Sequence, residues 1–273
     1  IVHGYSHGVH PITNTIPPDA VLLDARPRVA YDAGHLPNAI HADPDRQLAA
    51  PDDPSRGGRH PLPPIERWAQ QLGEWGIGPE TEVVIYDEQS GANAAARAWW
   101  MLRAVGHETV AVLDGGMRAA GLALTTDVPA PNARDPYPVT TWRRGTVNID
   151  EVDARREDPS WKVLDVRSTP RYRGETEPID PIAGHIPGAV NLPYTENLDG
   201  DRFKDASALR QQYEHLLGDT PVDRLIVHCG SGVTACHTLL ALEAAGLQGA
   251  SLFVGSWSEW CRNDERPRAT TER

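Results

Sequence analysis

The segment VLLDARPRVAYDAGHLPNAIHAD at residues 21–43 returns in altered form as VLDVRSTPRYRGETEPIDPIAGHIPGAVNLP at residues 163–193. LDAR becomes LDVR, and GHLP becomes GHIP. Later in each copy, VVIYD ending at Asp87 matches LIVHC ending at Cys229. A repeat that spans about half of the chain indicates a duplicated domain, because solenoid repeats have periods of only ~20–50 residues.

The repeat divides the chain into predicted domains at 1–125 and 146–273, joined by a linker at 126–145 that is rich in proline. In the second copy, VLDV, AVNL, LIVH and SLFV have the pattern of short buried strands. SALRQQYEHLLG and VTACHTLLALEAAG have helical spacing and end at glycine. This alternation predicts an α/β fold, in which each domain is a parallel sheet with helices on both faces.

The composition narrows the possible partners and compartments. With 40% apolar and 23% charged residues, the 273-residue chain is typical of globular proteins. Its formal charge of -12 argues against nucleic acid or an anionic membrane as the partner. Three cysteines cannot form a disulfide scaffold and are typical of free thiols in a reducing compartment. IVHGYSHGVH has no apolar signal core, so we expect a cytoplasmic protein, although a targeting segment could precede it.

Cys229 lies where the strand LIVH ends and a helix begins, in the stretch HCGSGVTACH. Ligands of parallel sheets bind at the carboxyl ends of strands. Gly230 and Gly232 let the chain bend so that successive N–H groups can point inward. A helix that begins near Val233 adds unpaired N–H groups and the positive end of its dipole. This environment stabilises a thiolate, so it favours a nucleophilic cysteine over a buried, inert one.

Three chemistries could use such a cysteine. A cysteine-dependent phosphatase needs an arginine six positions later to hold the phosphate, and Ala235 stands there. A metal site at Cys229, Cys236 and His237 is excluded by distance, because seven residues of helix span ~10.5 Å. Sulfur transfer through a persulfide remains, since it needs only a small pocket lined with amide groups. We therefore expect no metal and no organic cofactor.

The chain resembles the tandem-domain rhodanese family, which includes thiosulfate and 3-mercaptopyruvate sulfurtransferases. The resemblance covers nearly the whole chain through LDAR/LDVR, GHLP/GHIPGA, RWAQQLGEWGIG, ARAWWMLRAVGH, LDGG, RYRG, CGSGVTA and GSWSEW. It implies a catalytic second domain, a first domain that lost its cysteine, and an active site between them. Asp87 at the cysteine position of the first domain is consistent with this, because a carboxylate there is expected to repel an anionic substrate.

The resemblance also implies roles for residues outside the cysteine loop. Arg171, in RYRG, matches the family arginine that binds the anionic group of the donor. Asp165 and Arg167 match positions that are largely structural and orient the loop. His35 matches a histidine that faces the cleft in mercaptopyruvate enzymes, but its repetition as His185 favours a structural role for both.

The cysteine loop supplies further candidates. Ser231 and Thr234 can donate hydrogen bonds to the sulfur or relay a proton, and Thr234 could equally cap the helix. Backbone binding of the substrate is expected from Gly230, Gly232 and Val233. Arg59, in GGRHPLP, is a weaker candidate for the cleft.

The expected reaction is a double displacement, in which the Cys229 thiolate takes sulfur from a small anionic donor. The persulfide then passes the sulfur to a thiol, thioredoxin or cyanide. 3-Mercaptopyruvate is expected to be the better donor, because Gly230 and Ser231 stand where thiosulfate-type members carry cationic side chains. Against this, the insertion ETEPIDPIAG lacks the second arginine common in mercaptopyruvate enzymes. A thiosulfate-preferring enzyme and a persulfide carrier that docks on a partner protein therefore stay open.

Overall fold

Short runs of branched apolar residues form the central strands, as in VVIY and LIVH, in which every residue is buried. Strands buried on both faces need a covering layer on each side of the sheet, which is the usual arrangement of parallel sheets. The structure is a computed structural model and describes residues 9–92, 94–143 and 145–271.

The first copy of the repeat forms a five-stranded sheet and its helices. The strands are β1 (Ile12–Thr13), β2 (Val21–Asp24), β3 (Ile40–His41), β4 (Val83–Tyr86) and β5 (Val110–Leu113). The helices are α1 (Arg28–Ala33), α2 (Ile65–Glu74), α3 (Ala95–Ala104) and α4 (Gly116–Ala119). The strand order is β1-β5-β4-β2-β3, and each neighbouring pair is parallel.

The second copy repeats this topology. Its strands are β6 (Thr146–Val147), β7 (Lys162–Asp165), β8 (Val190–Asn191), β9 (Leu198–Asp199), β10 (Arg202–Phe203), β11 (Leu225–His228) and β12 (Ser251–Phe253). Its helices are α5 (Ile149–Arg155), α6 (Thr169–Tyr172), α7 (Ala206–Leu217), α8 (Thr234–Ala244) and α9 (Ser256–Trp260). The parallel order β6-β12-β11-β7-β8 matches the first sheet strand for strand, while β9 and β10 form a separate antiparallel pair.

The predicted α/β fold with two tandem domains is therefore confirmed. The strands predicted from VLDV, AVNL, LIVH and SLFV overlap β7, β8, β11 and β12, and the two predicted helices overlap α7 and α8. None of the described helices is both long and apolar enough to cross a membrane.

Helices α3 and α8, which follow the equivalent loops of the two copies, pack against each other. Their buried residues belong to one apolar cluster that includes Trp99 and Trp100 of α3 and Leu239 and Leu240 of α8. Arg103 Nη2 also pairs with Glu243 Oε1 at 2.8 Å across this contact. The two domains consequently share a core, which fixes the loops that precede the two helices relative to each other.

The predicted linker packs along the first domain. The N–H groups of Arg134 and Tyr137 donate to backbone oxygens of Gly73 and Ala69 at 2.9 Å each. The ring of Trp142 stacks on two tryptophans of the first domain at 6.5 Å. These contacts give the linker a defined course between the domains.

Candidate active site

Cys229 directly follows β11, the central strand of the second sheet. Its side chain is buried, with 1% of the residue exposed, and the N–H of Gly232 donates to Sγ at 3.2 Å. The N–H of Cys229 itself donates to Ser256 Oγ at 3.2 Å. The sulfur is therefore held by a backbone donor at the carboxyl edge of the sheet, where a parallel sheet usually binds its ligand.

The turn that begins α9 fixes the cysteine loop. Trp257 and Ser258 donate their N–H groups to the backbone oxygens of Cys229 and Gly230 at 3.0 and 2.9 Å. Gly232 has φ +76, and a Cβ there would lie 2.4 Å from the backbone oxygen of Val254. Only glycine fits this position without displacing the backbone, so the bend that brings its N–H to the sulfur depends on it.

Ser231, Val233 and Thr234 follow Cys229 within five positions of the chain. Ser231 is buried, with 7% of the residue exposed. Thr234 is the first residue of α8 and is half-buried, while Val233 precedes the helix and supplies no side-chain cap. Thr234 thus lies inside the helix rather than at the capping position, which leaves its hydroxyl as a candidate donor at the mouth of the loop.

Two guanidinium groups converge over Gly230. A Cβ placed on Gly230 would lie 3.0 Å from Arg59 Nη2 and 3.5 Å from Arg171 Nη2. Both side chains are only partly exposed, at 22% and 18%. The insertion ETEPIDPIAG lacks a second arginine in its sequence. In the structure, Arg59 of the first domain places a second guanidinium group at this position.

Two carboxylates of the insertion hold these arginines. Asp180 pairs with Arg59 Nε at 3.1 Å and lies 3.7 Å from Arg171 Nη2. Glu177 accepts from Arg171 Nη2 at 2.6 Å. Burial alone would raise the pKa of Glu177, but hydrogen bonds from Arg171 and from the N–H groups of Asp180 and Ile179 hold this pKa below its usual value. Glu177 is thus ionised at neutral pH, and both side chains orient the guanidinium groups.

Arg59 reaches the second domain because its own segment docks on the α9 turn. The N–H of Arg59 donates to Ser258 Oγ at 3.1 Å. Gly58 has φ +78, and a Cβ there would lie 2.3 Å from the backbone oxygen of Gly255. Sequence reasoning ranked Arg59 low, but the two glycines before it were a signal of this close approach.

Asp165 and Arg167 form a buried pair behind the loop. Arg167 Nη2 donates to Asp165 Oδ2 at 2.6 Å and to the backbone oxygen of Gly184 at 2.7 Å. Its guanidinium also lies over the ring of Trp257, 4.8 Å from the centroid. The first domain repeats this arrangement with Arg26 and Asp24, which indicates a structural role.

His35 is engaged within the first domain and at the start of the linker. Its Nδ1 lies 3.0 Å from the backbone oxygen of Tyr31, its Nε2 lies 3.1 Å from that of Asp127, and its ring stacks on Tyr31 at 3.8 Å. His185 stacks on Tyr172 in the same way at 3.9 Å. The structure does not bring His35 into contact with the cysteine loop, and we leave it out of the proposed site.

The other two cysteines are held as thiols. Burial raises the pKa of Cys236 to about 12, and burial together with Asp180 raises the pKa of Cys261. Cys236 Sγ donates to the backbone oxygen of Gly232 at 3.3 Å. Neither group is a thiolate at neutral pH, which is consistent with the prediction of Cys229 as the nucleophile.

Asp87 occupies the equivalent loop of the first domain. Its buried carboxylate accepts N–H groups from Gln89, Gly91, Ala94 and Ala95 at 2.8–3.1 Å. The carboxylate thus occupies the amides of its own loop, and its repulsion of an anionic substrate stays a prediction. The first-domain loop therefore already contains its anion.

A family model for the rhodanese-like domain matches residues 13–121 and 148–263, and the chain therefore belongs to the rhodanese family. A Pseudomonas aeruginosa protein named "Probable 3-mercaptopyruvate sulfurtransferase" is 43% identical over 266 residues, with 93% of each chain covered. A thiosulfate sulfurtransferase of the same organism is 32% identical, with 92% of this chain and 91% of its own length covered. The solved structure of a 3-mercaptopyruvate sulfurtransferase from Leishmania major has a TM-score of 0.77 at 30% identity, with 89% of this chain and 70% of that chain covered.

Proposed function

We propose that this chain, a sulfurtransferase of the rhodanese family, takes sulfur from 3-mercaptopyruvate by forming a persulfide on Cys229. One observation carries the proposal: the Cys229 sulfur accepts a backbone N–H while the guanidinium groups of Arg59 and Arg171 lie over the adjacent Gly230. A nucleophilic sulfur and a cationic surface for a small anion thus lie side by side.

The first half-reaction forms the persulfide. The Cys229 thiolate attacks the donor sulfur, and the bond between that sulfur and carbon breaks. The electron pair of this bond moves to the carbon, and the resulting pyruvate enolate takes up the proton of the donor thiol to become pyruvate. The sulfur remains on Cys229 as a persulfide anion within the loop, where Ser231 and Thr234 are candidate hydroxyl donors.

The second half-reaction returns the cysteine to its starting state. An acceptor thiolate, such as that of a small thiol or thioredoxin, attacks the outer sulfur of the persulfide. The sulfur–sulfur bond breaks, the acceptor leaves as a new persulfide, and Cys229 is again a thiolate. Cyanide follows the same path and leaves as thiocyanate. The chain itself supplies every group that these steps use, apart from donor and acceptor.

The charges of the site favour a monocarboxylate donor. Asp180 pairs with Arg59 and Arg262 and lies 3.7 Å from Arg171. Glu177 pairs with Arg171 and also with Arg167, which in turn pairs with Asp165. These four arginines exceed the three carboxylates by one positive charge, which matches a single carboxylate better than the two charges of thiosulfate. The 43% identical relative carries the mercaptopyruvate name, while relatives with a thiosulfate name are 37% and 32% identical.

The proposal is tested by intact-mass spectrometry after treatment with 3-mercaptopyruvate. Wild type should gain one sulfur atom, Cys229→Ser should gain none, and Cys236→Ser should behave as wild type. A persulfide on any other cysteine would contradict the assignment. Steady-state kcat/KM for both donors decides between them, and Ser231→Lys should shift the preference toward thiosulfate by adding a charge to the loop.

A persulfide carrier that works only through a partner protein is the second candidate. It would form the same persulfide but turn over slowly with small acceptors, so multiple-turnover kinetics with cyanide separates the two. The domain boundaries at 1–125, 126–145 and 146–273 and the cytoplasmic compartment also stay proposals. Limited proteolysis within 126–145 and fractionation of cells are their tests.

A further inference from the structure

Arg97 is a buried arginine at the contact between the domains. It lies in the first turn of α3, within the apolar run AARAWW, and is 1% exposed. Its Nη1 donates to the backbone oxygen of Gly232 at 3.2 Å, and its Nη2 donates to that of His60 at 3.0 Å. A guanidinium group keeps its charge in proteins, so this charge lies inside the protein next to the cysteine loop.

No carboxylate neutralises this charge in the part of the chain that the structure describes. The ion pairs found among residues 9–92, 94–143 and 145–271 do not include Arg97, and its Nε has no hydrogen-bond partner there. Removing an ion from water without a counter-ion is energetically expensive. The three backbone oxygens around it compensate only part of this cost.

Two sulfur groups are the acidic neighbours of Arg97. Burial lowers the pKa of Arg97, and the interactions that oppose this effect come from Cys236 and Cys229. Cys236 stays a neutral thiol, because burial raises its pKa to about 12. Cys229 is therefore the neighbour that can supply a negative charge.

Gly232 lies between the Cys229 sulfur and the Arg97 guanidinium. Its N–H donates to Cys229 Sγ and its backbone oxygen accepts from Arg97 Nη1, each at 3.2 Å. Backbone bond lengths then place the guanidinium within about 10 Å of the sulfur. At this separation and an effective dielectric constant of about 20, a unit charge changes the ionisation of a thiol roughly ten-fold.

We propose that Arg97 is a positioning residue that holds the Cys229 sulfur in its anionic form, first as the thiolate and then as the persulfide. The inference rests on the proposed function for the persulfide, but the thiolate part stands without it. The first domain, which has no cysteine of its own, thus supplies a charge that the chemistry of the second domain uses.

Other charged and titratable groups also face Cys229, and they must stay unchanged in the test. They are Arg59, Arg171, Arg167, Asp165, His228 and Cys236. Each lies in the second domain or at the mouth of the loop, so a substitution in α3 leaves them in place.

The experiment measures the rate of alkylation of Cys229 by iodoacetamide from pH 5 to 10, read by mass spectrometry on the peptide that contains Cys229. Arg97→Gln keeps N–H donors for the backbone oxygens but removes the charge, and Arg97→Met fills the same apolar space without a buried ion. At least one should fold, since replacing an unpaired buried ion by an apolar group is often neutral. Arg97→Lys keeps the charge.

Arg103→Gln is the matched control, because Arg103 lies on the same helix and pairs with Glu243 across the same contact at 2.8 Å. We expect the alkylation profiles of Arg97→Gln and Arg97→Met to move to higher pH by about one unit, which slows alkylation roughly ten-fold on the acidic limb. Arg97→Lys and Arg103→Gln should keep the wild-type profile, although both should lower Tm.

A profile of Arg97→Gln or Arg97→Met that superimposes on wild type would overturn the inference and leave Arg97 as a purely structural link between the domains. The assay uses no sulfur donor. A shifted profile without persulfide formation would therefore refute the proposed function while supporting the thiolate role of Arg97.

Discussion

Replacing Arg59 by alanine should lower kcat/KM for 3-mercaptopyruvate by roughly 10- to 100-fold. Arg59 Nη2 lies 3.0 Å from the position of a Cβ on Gly230, the residue next to the nucleophile, so it can reach the carboxylate of a donor bound at Cys229. A hydrogen bond to a charged group contributes ~1.5–3 kcal/mol, and each ~1.4 kcal/mol is a factor of ten in rate.

The fold should tolerate this change. Asp180, the partner of Arg59, also pairs with Arg262 at 2.8 Å and lies 3.7 Å from Arg171. Its carboxylate therefore keeps cationic neighbours when Arg59 is removed. The expected loss consequently appears in donor binding, as a higher KM, rather than in a lower Tm.

The assay is steady-state pyruvate release with 3-mercaptopyruvate, in parallel for Arg59→Ala and Arg262→Ala. Arg262 shares the Asp180 carboxylate but donates its other bond to the backbone oxygen of Ser258 and is not among the atoms nearest Gly230. Arg262→Ala should keep kcat/KM close to wild type. Equal losses in the two variants, or no loss in Arg59→Ala, would refute the reasoning that Arg59 binds the donor.

Three further predictions follow from groups near the two loops. Cys261→Ser should retain sulfur transfer, as Cys236→Ser should, and neither cysteine should react with iodoacetamide at pH 7, because both thiol pKa values are raised. The pKa of Glu177 is lower in the folded chain than its ordinary value of 4.5, so its pair with Arg171 stabilises the fold above pH 4.5, and this contribution is lost as the pH falls further. Urea unfolding from pH 3 to 6 should therefore show a shallower loss of stability in Glu177→Gln. Asp87→Ala leaves four N–H groups without their acceptor, and each one that stays buried should cost ~1–3 kcal/mol of stability. A decrease in the unfolding free energy of less than ~1 kcal/mol would argue against a structural role of Asp87 in this loop.

The fold could be read from the sequence because its signal is local and occurs twice. The central strands are short and mainly apolar, as in VVIY and LIVH, and the second copy repeats the order of the first. The match of the two segments therefore predicts the same sheet twice. The prediction of Cys229 as the nucleophile rests on an equally local signal. Its position after a strand, the glycines around it and the helix behind it are all features of ten consecutive residues.

The arginines of the site could be predicted only in part. Arg171, predicted from its motif, lies near Gly230, but Arg59 and Arg97 reach the loop through the packing of one domain on the other. Their contacts with Gly230 and Gly232 join residues far apart in the chain. No periodicity specifies which side chain of one domain will face the other, although an arginine inside the apolar helix α3 was a visible irregularity.

In the first-domain loop, the Asp87 side chain stands at the position that Cys229 has in the second-domain loop, and its carboxylate binds the loop amides. The second-domain loop has a cysteine whose sulfur is proposed to react, whereas four amides of the first-domain loop are bound to a carboxylate that cannot carry sulfur. After the duplication, one copy could thus lose its reactivity without losing the shape of its loop or the start of α3. Helix α3 packs on α8 and contacts the second-domain loop through Arg97, so the first domain supports the loop of the second.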